Sequence, residues 1–281
     1  MRAARVHEAR DAADPEVYPR LVQFGHVVIP TYGALTALAL VASLAAAMHF
    51  ARHLSLDANK VWTLLVTAIL TALVGARMLT VLTHFAAFRQ HPFWVFGLTS
   101  VRDWWIAPVS AALGIAAGIL YALAYGLPVF SVADALAPAT AFGLAINRIG
   151  AFLAGMDFGT PAAVPWAVTY TSRIAALWYR TPLDIPLHPV QIYEAVVWLG
   201  VFGLLAWRLQ RRHHHGELAG VGLFSSGLAN PILSLWQSEP GHPAFSLVLS
   251  VAAVLVGAVL LLERSAKPRR YTASDENPFA G

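Results

Sequence analysis

The sequence predicts an all-α polytopic membrane protein with seven transmembrane helices and a periplasmic cap. Composition indicates the membrane: 58% of the 281 residues are apolar and 12% are charged, about half the charged share of a soluble domain. The apolar residues also form runs long enough for the hydrocarbon core, which takes about 20 helical residues. The predicted spans are Val27–Ala51, Val61–Phe85, Trp104–Tyr125, Val132–Ala154, Val190–Trp207, Gly220–Trp236 and Ala244–Leu262.

Local sequence features set the ends and packing of these spans. A polar loop from Arg52 to Lys60 separates the first two spans, and Leu127-Pro128 separates the third from the fourth. The third span has many small residues between Ser110 and Gly118, which favour close helix packing. Asn230-Pro231 is predicted to interrupt the short sixth span, because proline lacks the backbone donor of a helix interior.

The chain is predicted to have an N-terminal tail (residues 1–26), a seven-span membrane domain (27–263) and a cytoplasmic polar tail (264–281). Met156–Leu187 is rich in proline, tryptophan and tyrosine, so it is predicted to fold as the cap. Basic residues cluster at Arg208–Arg212 beside the fifth span and again in the tail. Because such clusters favour the cytoplasmic side, the N-terminus is predicted outside and the C-terminus in the cytoplasm.

The composition excludes several kinds of site. The sequence contains no cysteine, so it has no disulfide, thiolate nucleophile or cysteine-ligated zinc. Its formal net charge of +4 fits cytoplasmic basic loops and anionic membrane lipids, and no patterned basic helix suggests a nucleic-acid partner. Adjacent histidines rarely converge on one ion, so His213–His215 predict a solvated loop and no metal site.

An arginine at the end of an apolar run is a strong indication of function. Arg148 stands at the end of the fourth apolar run, within Ala145–Gly159, and three glycines and Asp157 follow it. A guanidinium at membrane depth costs about 2.5–3.5 kcal/mol on insertion scales and therefore needs an anionic partner. Two interpretations stay open: a structural pair of Arg148 with Asp157, or a site where the planar guanidinium binds a phospholipid phosphate.

Two residues of other spans are candidates for the same site. Arg77 is a second arginine inside an apolar run. It either extends toward the interface or faces the interior, which the apolar residues on both sides favour. Tyr32 stands near the start of the first span and is either an anchor in the interfacial aromatic belt or a hydroxyl that faces a cavity.

A second polar motif opens the fifth span. Pro189 suits a first helical turn and a glutamate near a helix N-terminus is favoured by the helix dipole, so a helix start explains part of the motif. Gln191 and Glu194 are three residues apart and share one face. With the neighbouring histidine and tyrosine they predict a cluster that binds a polyol head group or supplies a base. The motif reads His188-Pro189-Val190-Gln191-Ile192-Tyr193-Glu194.

These motifs together resemble the signature of bacterial prolipoprotein diacylglyceryl transferases. The Arg148 segment is similar to the family's G-R-x-G-N-x-x-N-G-E-x-x-G, and the segment at the fifth span looks like its H-P-x-Q-x-Y-E-A. Order and spacing agree over roughly residues 27–262. The matching segments are Tyr32-Gly33, Gly75-Ala76-Arg77, Asn147-Arg148-Ile149-Gly150, Gly155, Phe158-Gly159, Pro165-Trp166-Ala167-Val168 and His188–Ala195.

The resemblance implies transfer of a diacylglyceryl group from phosphatidylglycerol to the lipobox cysteine of a preprolipoprotein signal peptide. A thioether forms and glycerol phosphate leaves, without metal or organic cofactor. His188 and Glu194 are the candidate catalytic residues, and of these His188 has the side chain suited to proton transfer near neutral pH. The resemblance implies that Arg148 holds the lipid phosphate and that Arg77 and Glu194 line the cavity. The candidate phospholipid-binding residues are Arg148, Arg77, Tyr32, Gln191, Tyr193 and Asp157.

The chain also departs from the family signature. The family's H-G-G segment at the start of the third span has no match in Trp104–Ala112, and two signature asparagines and a glutamate fall at Ala151, Ala154 and Met156. The late arginine, glutamate and arginine of the family fall at Asn230, Ser234 and Gln237. Two alternatives therefore stay open: a non-catalytic phospholipid-binding relative, and a lipid transporter or flippase.

Overall fold

Helices make up 74% of the described residues of the computed structural model. The structure describes residues 18–24, 27–91, 103–211, 214–238 and 242–265, so most of both predicted tails lies outside the described residues and the three-part division stays a prediction. The strands are β1 (Arg20–Phe24), β2 (Val27–Pro30), β3 (Val168–Thr169) and β4 (Pro186–Leu187). The helices are α1 (Thr31–His53), α2 (Ala58–Thr83), α3 (Phe85–Gln90), α4 (Ile106–Ala124), α5 (Val129–Ala154), α6 (Arg173–Tyr179), α7 (Val190–Leu209), α8 (Glu217–Ser234) and α9 (Pro243–Ser265).

Six of the described helices are long and apolar enough to cross a membrane: α1, α2, α4, α5, α7 and α9. The predicted sixth span corresponds to α8, which has 18 residues but is less apolar because it contains Ser225, Ser226 and Asn230. The prediction of a mostly helical protein with several membrane-length helices is thus confirmed. A seventh crossing through α8 stays a prediction.

The predicted start of the first span is wrong. The predicted span includes Val27–Pro30, but these residues form β2, which pairs antiparallel with β1, so the chain is not purely α-helical. Helix α1 therefore begins at Thr31, directly after Pro30, whose fixed φ and missing N–H suit a position at the edge of a helix. The apolar character of β2 hid this change, because a short apolar run fits a strand as well as a helix.

The predicted interruption of the sixth span is also wrong. Helix α8 continues through Pro231 to Ser234. A proline removes one hydrogen bond to the preceding turn, but Pro231 stands one turn from the end of α8. The helix therefore needs few further backbone bonds after it.

The chain forms two compact units, one comprising Met1–Ala46 and Ala137–Gly281, the other comprising Ala47–Leu136. In the second unit α2 packs against α4. A Cβ on Gly114 would lie 2.7 Å from the carbonyl oxygen of Ala68, so only glycine permits this approach. The small residues of α4 therefore allow close packing, as the sequence predicts.

In the first unit, close glycine contacts join α8 to α9. A Cβ on Gly257 would lie 2.7 Å from the carbonyl oxygen of Gly220, and a Cβ on Gly227 would lie 2.5 Å from that of Ser250. Helix α8 also packs on α7. Packing through small residues is typical of helices in membranes, where close contact replaces the hydrophobic driving force.

The first turns of α1 lie against the end of α5 in the same unit. A Cβ on Gly150 would lie 2.8 Å from Cβ of Leu35, and Asn147 donates from Nδ2 to Oγ1 of Thr36 at 2.9 Å. These contacts bring the start of the first helix beside the residues that surround Arg148.

The segment between α5 and α7 is folded. Strands β3 and β4 pair antiparallel, and Ser172 caps the first turn of α6 by accepting from the Ala175 amide. Tyr170 is 0% and Leu187 1% exposed, so the segment has buried side chains of its own. Its location on the periplasmic side stays a prediction.

Candidate functional site

The turn after α5 carries Asp157 back to Arg148. The helix ends in two overlapping hydrogen bonds, from the Met156 amide to the Ala151 carbonyl (2.9 Å) and from the Gly155 amide to the Phe152 carbonyl (3.1 Å). Gly155 has φ of 77°, the left-handed conformation that this helix ending requires. The glycine is visible in the sequence, and the structure shows its backbone role.

Asp157 adopts a left-handed conformation itself, with φ of 56°, which costs a non-glycine residue energy. Its Oδ2 lies 3.1 Å from Nη1 of Arg148. The pair that the sequence suggested therefore forms. A strained backbone persists where surrounding contacts hold it. Here the contacts are hydrogen bonds to the carbonyls of Gly155 and Met156.

Buried side chains fix those two carbonyls. Thr181, 2% exposed, donates from Oγ1 to the Gly155 carbonyl at 2.7 Å. Gln191, 0% exposed, donates from Nε2 to the Met156 carbonyl, also at 2.7 Å. These bonds fasten the turn before Asp157 to the folded segment and to the first turn of α7.

Gln191 continues to a buried tyrosine. Its Nε2 also lies 3.3 Å from the hydroxyl of Tyr170. Burial raises the pKa of Tyr170 to about 12, and the hydrogen bond from Gln191 opposes part of that rise. Because Gln191 is fully buried and bonded to the protein, the structure places it beneath the turn, where it acts on the site through Met156.

Two more backbone hydrogen bonds hold the residues that follow Asp157. The Gly159 amide donates to the His188 carbonyl at 3.2 Å, and the Ser238 amide donates to the Phe158 carbonyl at 3.3 Å. A Cβ on Gly159 would lie 2.4 Å from the His188 carbonyl oxygen, so this position requires glycine. The end of α5, the start of α7 and the residues after α8 therefore meet at one place.

Arg148 lies between two carboxylates at that place. Its Nε is 3.0 Å from Oε2 of Glu194, but the N–H is not directed at that oxygen, so Nε has no hydrogen bond although it is buried. We regard the contact as a charge–charge interaction. Glu194 receives a hydrogen bond at its other oxygen from Nε2 of Gln237, at 2.9 Å.

The two carboxylates differ in exposure. The side chain of Glu194 is 7% exposed and that of Asp157 is 43% exposed, while that of Arg148 is 27% exposed. Glu194 is thus a fixed, buried partner, and Asp157 is an accessible one. A guanidinium that is fixed on one side and reachable on the other can bind an external anion with the remaining N–H groups.

His188 and Tyr193 form a second polar contact at the start of α7. Nδ1 of His188 lies 3.2 Å from the Tyr193 hydroxyl, and the indole nitrogen of Trp166 donates to the same hydroxyl at 2.6 Å. The motif at the start of α7 therefore does more than begin a helix.

The structure brings together six of the eight predicted site residues: Arg148, Asp157, His188, Gln191, Tyr193 and Glu194. Tyr32 is half-buried in the first turn of α1, one turn before Thr36, which contacts Asn147. Arg77 belongs to the other compact unit, where its guanidinium lies over the ring of Phe88, 5.3 Å from the centroid.

Sequence reasoning missed four residues that support the site: Trp166, Tyr170, Thr181 and Gln237. Tyr170 and Thr181 stand in no motif, and their contacts with the Gly155–Asp157 turn depend on the fold of the intervening segment. Trp166 and Gln237 were noted, the first as part of the family resemblance and the second as a departure from it. Neither observation indicated a contact with Tyr193 or Glu194.

Comparison with known proteins identifies close similarity to one family. Residues 19–263 match the family described as "Prolipoprotein diacylglyceryl transferase". The chain is 31% identical to the phosphatidylglycerol–prolipoprotein diacylglyceryl transferase of Paramagnetospirillum magneticum, over 91% of this chain and 97% of that protein. The protein of the same name from Rhodospirillum centenum is 31% identical over 74% of this chain and 76% of its own length. That from Leifsonia xyli is 28% identical over 83% and 74%.

Proposed function

This chain belongs to the prolipoprotein diacylglyceryl transferase family, and we propose that it transfers a diacylglyceryl group from phosphatidylglycerol to the lipobox cysteine of a preprolipoprotein. The observation that carries the proposal is the arrangement of Arg148 between the buried Glu194 and the exposed Asp157. A phosphate that approaches from the exposed side meets a guanidinium whose orientation Glu194 already fixes. Substrate binding therefore loses little free energy to the ordering of the Arg148 side chain.

Arg148 serves both binding and chemistry in this proposal. The planar guanidinium binds the lipid phosphate through more than one N–H. As the bond between the glycerol carbon and the phosphate oxygen breaks, negative charge grows on the leaving glycerol phosphate. A fixed cation in a site of low dielectric constant stabilises that charge more than water would.

The thiol of the acceptor has to lose a proton. A cysteine thiol has a pKa of about 8.5, so little thiolate is present near neutral pH and a base accelerates the attack. We assign this role to His188. Glu194 is the other candidate, but its two oxygens contact Arg148 and Gln237. We therefore propose that Glu194 orients the Arg148 side chain.

The other predicted residues complete the proposed phospholipid site. Tyr193 and Tyr32 offer hydroxyl groups to the glycerol head group, and Asp157 and Gln191 act on it through Arg148 and the turn before Asp157. A role of Arg77 in phospholipid binding stays a prediction from the sequence. No protein metal or organic cofactor takes part in this scheme.

The membrane arrangement belongs to the same proposal. The chain is a multi-pass protein of the inner membrane, and α8 forms a seventh crossing. Its 18 residues extend about 27 Å at 1.5 Å per residue, and glycine contacts bind it to α9 along its length. With seven crossings the N-terminus is outside, the C-terminus is cytoplasmic and the segment between α5 and α7 is a periplasmic cap.

A second candidate function is phospholipid binding without catalysis. It is favoured by Gln237, which stands where the family has an arginine and which the structure bonds to Glu194. The loss of that arginine removes one cation, while Arg148 and its two carboxylates are retained. The transporter alternative receives less support, because α8 runs through Pro231 without a break.

The test is transfer of a labelled diacylglyceryl group from phosphatidylglycerol to a lipobox peptide by the purified protein. We expect a thioether product with the wild type, and turnover about 100–10,000-fold lower with His188→Ala at unchanged lipid binding. His49→Ala is the control, because His49 lies near the opposite end of α1 and contacts Phe50 and His53. Lipid binding without any product from the wild type would favour the non-catalytic function.

A further inference from the structure

The hydroxyl of Tyr193 lies between two nitrogen-bearing rings. Trp166 donates to it from Nε1 at 2.6 Å, slightly below the usual lower limit of about 2.7 Å for such bonds. Nδ1 of His188 lies 3.2 Å from the same oxygen, and the ring of Trp236 contacts Tyr193 edge-on. Trp166 belongs to the Pro-Trp-Ala-Val segment, to which the proposed function assigns no role.

The directions of these hydrogen bonds follow from the three groups. An indole N–H only donates, whereas a phenol has one hydrogen and two acceptor positions. Trp166 fills one acceptor position of Tyr193, and the phenol hydrogen is left to donate. Within the described part of the chain, Nδ1 of His188 is the acceptor that the structure places at this hydroxyl.

The other tautomer of His188 leaves one hydrogen-bonding group without a partner. If His188 carried its hydrogen on Nδ1, Tyr193 would accept two hydrogen bonds and its own hydrogen would have no acceptor among the described side chains. All three groups are paired when Tyr193 donates to Nδ1. The hydrogen of the neutral imidazole then stands on Nε2, because the bond made by one ring nitrogen decides which nitrogen is protonated.

We propose that Trp166 positions the Tyr193 hydroxyl and thereby fixes neutral His188 in the tautomer with hydrogen on Nε2. The lone pair on Nδ1 is then reached through the phenol oxygen. Tyr193 becomes the catalytic residue that contacts the acceptor thiol, and Trp166 is a positioning residue. The identity of the thiol rests on the proposed function, whereas the tautomer is a property of the protein alone.

In this proposal the thiol proton reaches His188 by way of the Tyr193 hydroxyl. The S–H bond of the acceptor cysteine breaks and its proton moves to the Tyr193 oxygen, while the phenol hydrogen moves to Nδ1 of His188. The sulfur keeps the electron pair and forms a bond to the glycerol carbon, whose bond to the phosphate oxygen breaks. The hydrogen bond from Trp166 stabilises the partial negative charge on the phenol oxygen during the transfer.

Trp166 is a suitable residue for a test because it is 60% exposed. Trp166→Phe removes the N–H and keeps an aromatic ring, with little apolar burial lost. Trp178→Phe is a matched control, since Trp178 lies in the same segment and contacts Tyr179 and Arg20.

The first measurement is the ¹⁵N spectrum of histidine-labelled protein in detergent, at a pH where the ring of His188 is neutral and with the His188→Ala spectrum for assignment. We expect Nε2 protonated and Nδ1 unprotonated in the wild type and in Trp178→Phe. In Trp166→Phe we expect both tautomers. A wild-type His188 with its hydrogen on Nδ1 would overturn the proposal.

The second measurement is turnover in the transfer assay. We expect a loss of 100-fold or more for Tyr193→Phe, roughly tenfold for Trp166→Phe and none for Trp178→Phe. KM for phosphatidylglycerol should be unchanged in the two tryptophan variants. Wild-type turnover in Tyr193→Phe would overturn the proton route. Absence of transfer by the wild type would count against the proposed function, and the spectrum would still decide the tautomer.

Discussion

The side-chain amide of Gln237 donates a hydrogen bond to the carboxylate of Glu194, with 2.9 Å between Nε2 and Oε1. Gln237, in the segment that follows α8, thereby supports a buried carboxylate on α7. The other oxygen of Glu194 lies 3.0 Å from Nε of Arg148 at the end of α5. The orientation of Arg148 therefore depends on three parts of the chain that are far apart in sequence.

Replacing Gln237 by leucine should destabilise the protein. The substitution leaves one oxygen of a carboxylate that is 7% exposed without its donor, which costs about 1–3 kcal/mol. Thermal unfolding in detergent measures the loss. Gln210→Leu is the control, because Gln210 is exposed at the end of α7, and equal stability of the two variants would show that the Gln237 bond contributes nothing.

Arg148→Lys should weaken phosphatidylglycerol binding although the charge is kept, since an ammonium cannot reproduce the planar set of donors. Arg148→Ala should weaken it more, by about 2–5 kcal/mol if a buried, hydrogen-bonded charge is lost. Binding to nanodiscs of stated lipid composition is the measurement, with the exposed Arg173→Ala as control. A folded Arg148→Ala protein with unchanged binding would favour a purely structural pair with Asp157.

Asp157→Asn should tighten phosphatidylglycerol binding by roughly two- to fivefold, the size of a partly exposed ion pair. The carboxylate and the lipid phosphate are both anions and compete for Arg148, while asparagine tolerates the left-handed backbone. Asp184→Asn is the matched control, because Asp184 has φ of 60° and is exposed in the same segment. Weaker binding in Asp157→Asn would mean that the carboxylate helps to hold the lipid.

Tyr170 should make the folded state lose stability at alkaline pH. Its pKa is raised by burial from 10.0 to about 12, so the unfolded chain releases the phenol proton first. The contribution of Tyr170 to the free energy of unfolding is fully present below pH 10. It is lost between pH 10 and 12, by at most about 1.4 kcal/mol per pH unit. Tyr170→Phe should flatten this part of the curve, and Tyr125→Phe, at a tyrosine 56% exposed, should not. Identical curves for both variants would contradict the assignment.

Cysteines placed before and after α7 should label from opposite sides of the membrane. The sequence has no native cysteine, so Leu177→Cys in α6, at a residue 80% exposed, and Gln210→Cys report separately. With an impermeant maleimide on intact spheroplasts, we expect Leu177→Cys to label and Gln210→Cys to label after lysis. Labelling of Gln210→Cys in intact spheroplasts would reverse the proposed orientation.

Pattern and composition predicted the parts of this protein that depend on local chemistry. Membrane-length helices followed from apolar runs, because helix length is set by the thickness of the bilayer. The start of α1 was misplaced, since a four-residue apolar run does not distinguish a strand from the start of a helix. The Arg148–Asp157 pair was foreseen as one interpretation because its members are nine residues apart and an intramembrane arginine needs an anion.

The sequence by itself therefore determined a helical membrane protein of a recognisable family with an arginine that needs an anionic partner. Only the tertiary structure decided that Glu194 and Gln237 support that arginine, that Gln191 and Thr181 hold the turn before Asp157, and that Trp166 donates to Tyr193. The physical reason is that a hydrogen bond requires a donor–acceptor distance within a few tenths of an ångström and a nearly linear angle. Residues separated by 26 to 43 positions reach such geometry through the packing of whole segments, which no local pattern in the sequence records.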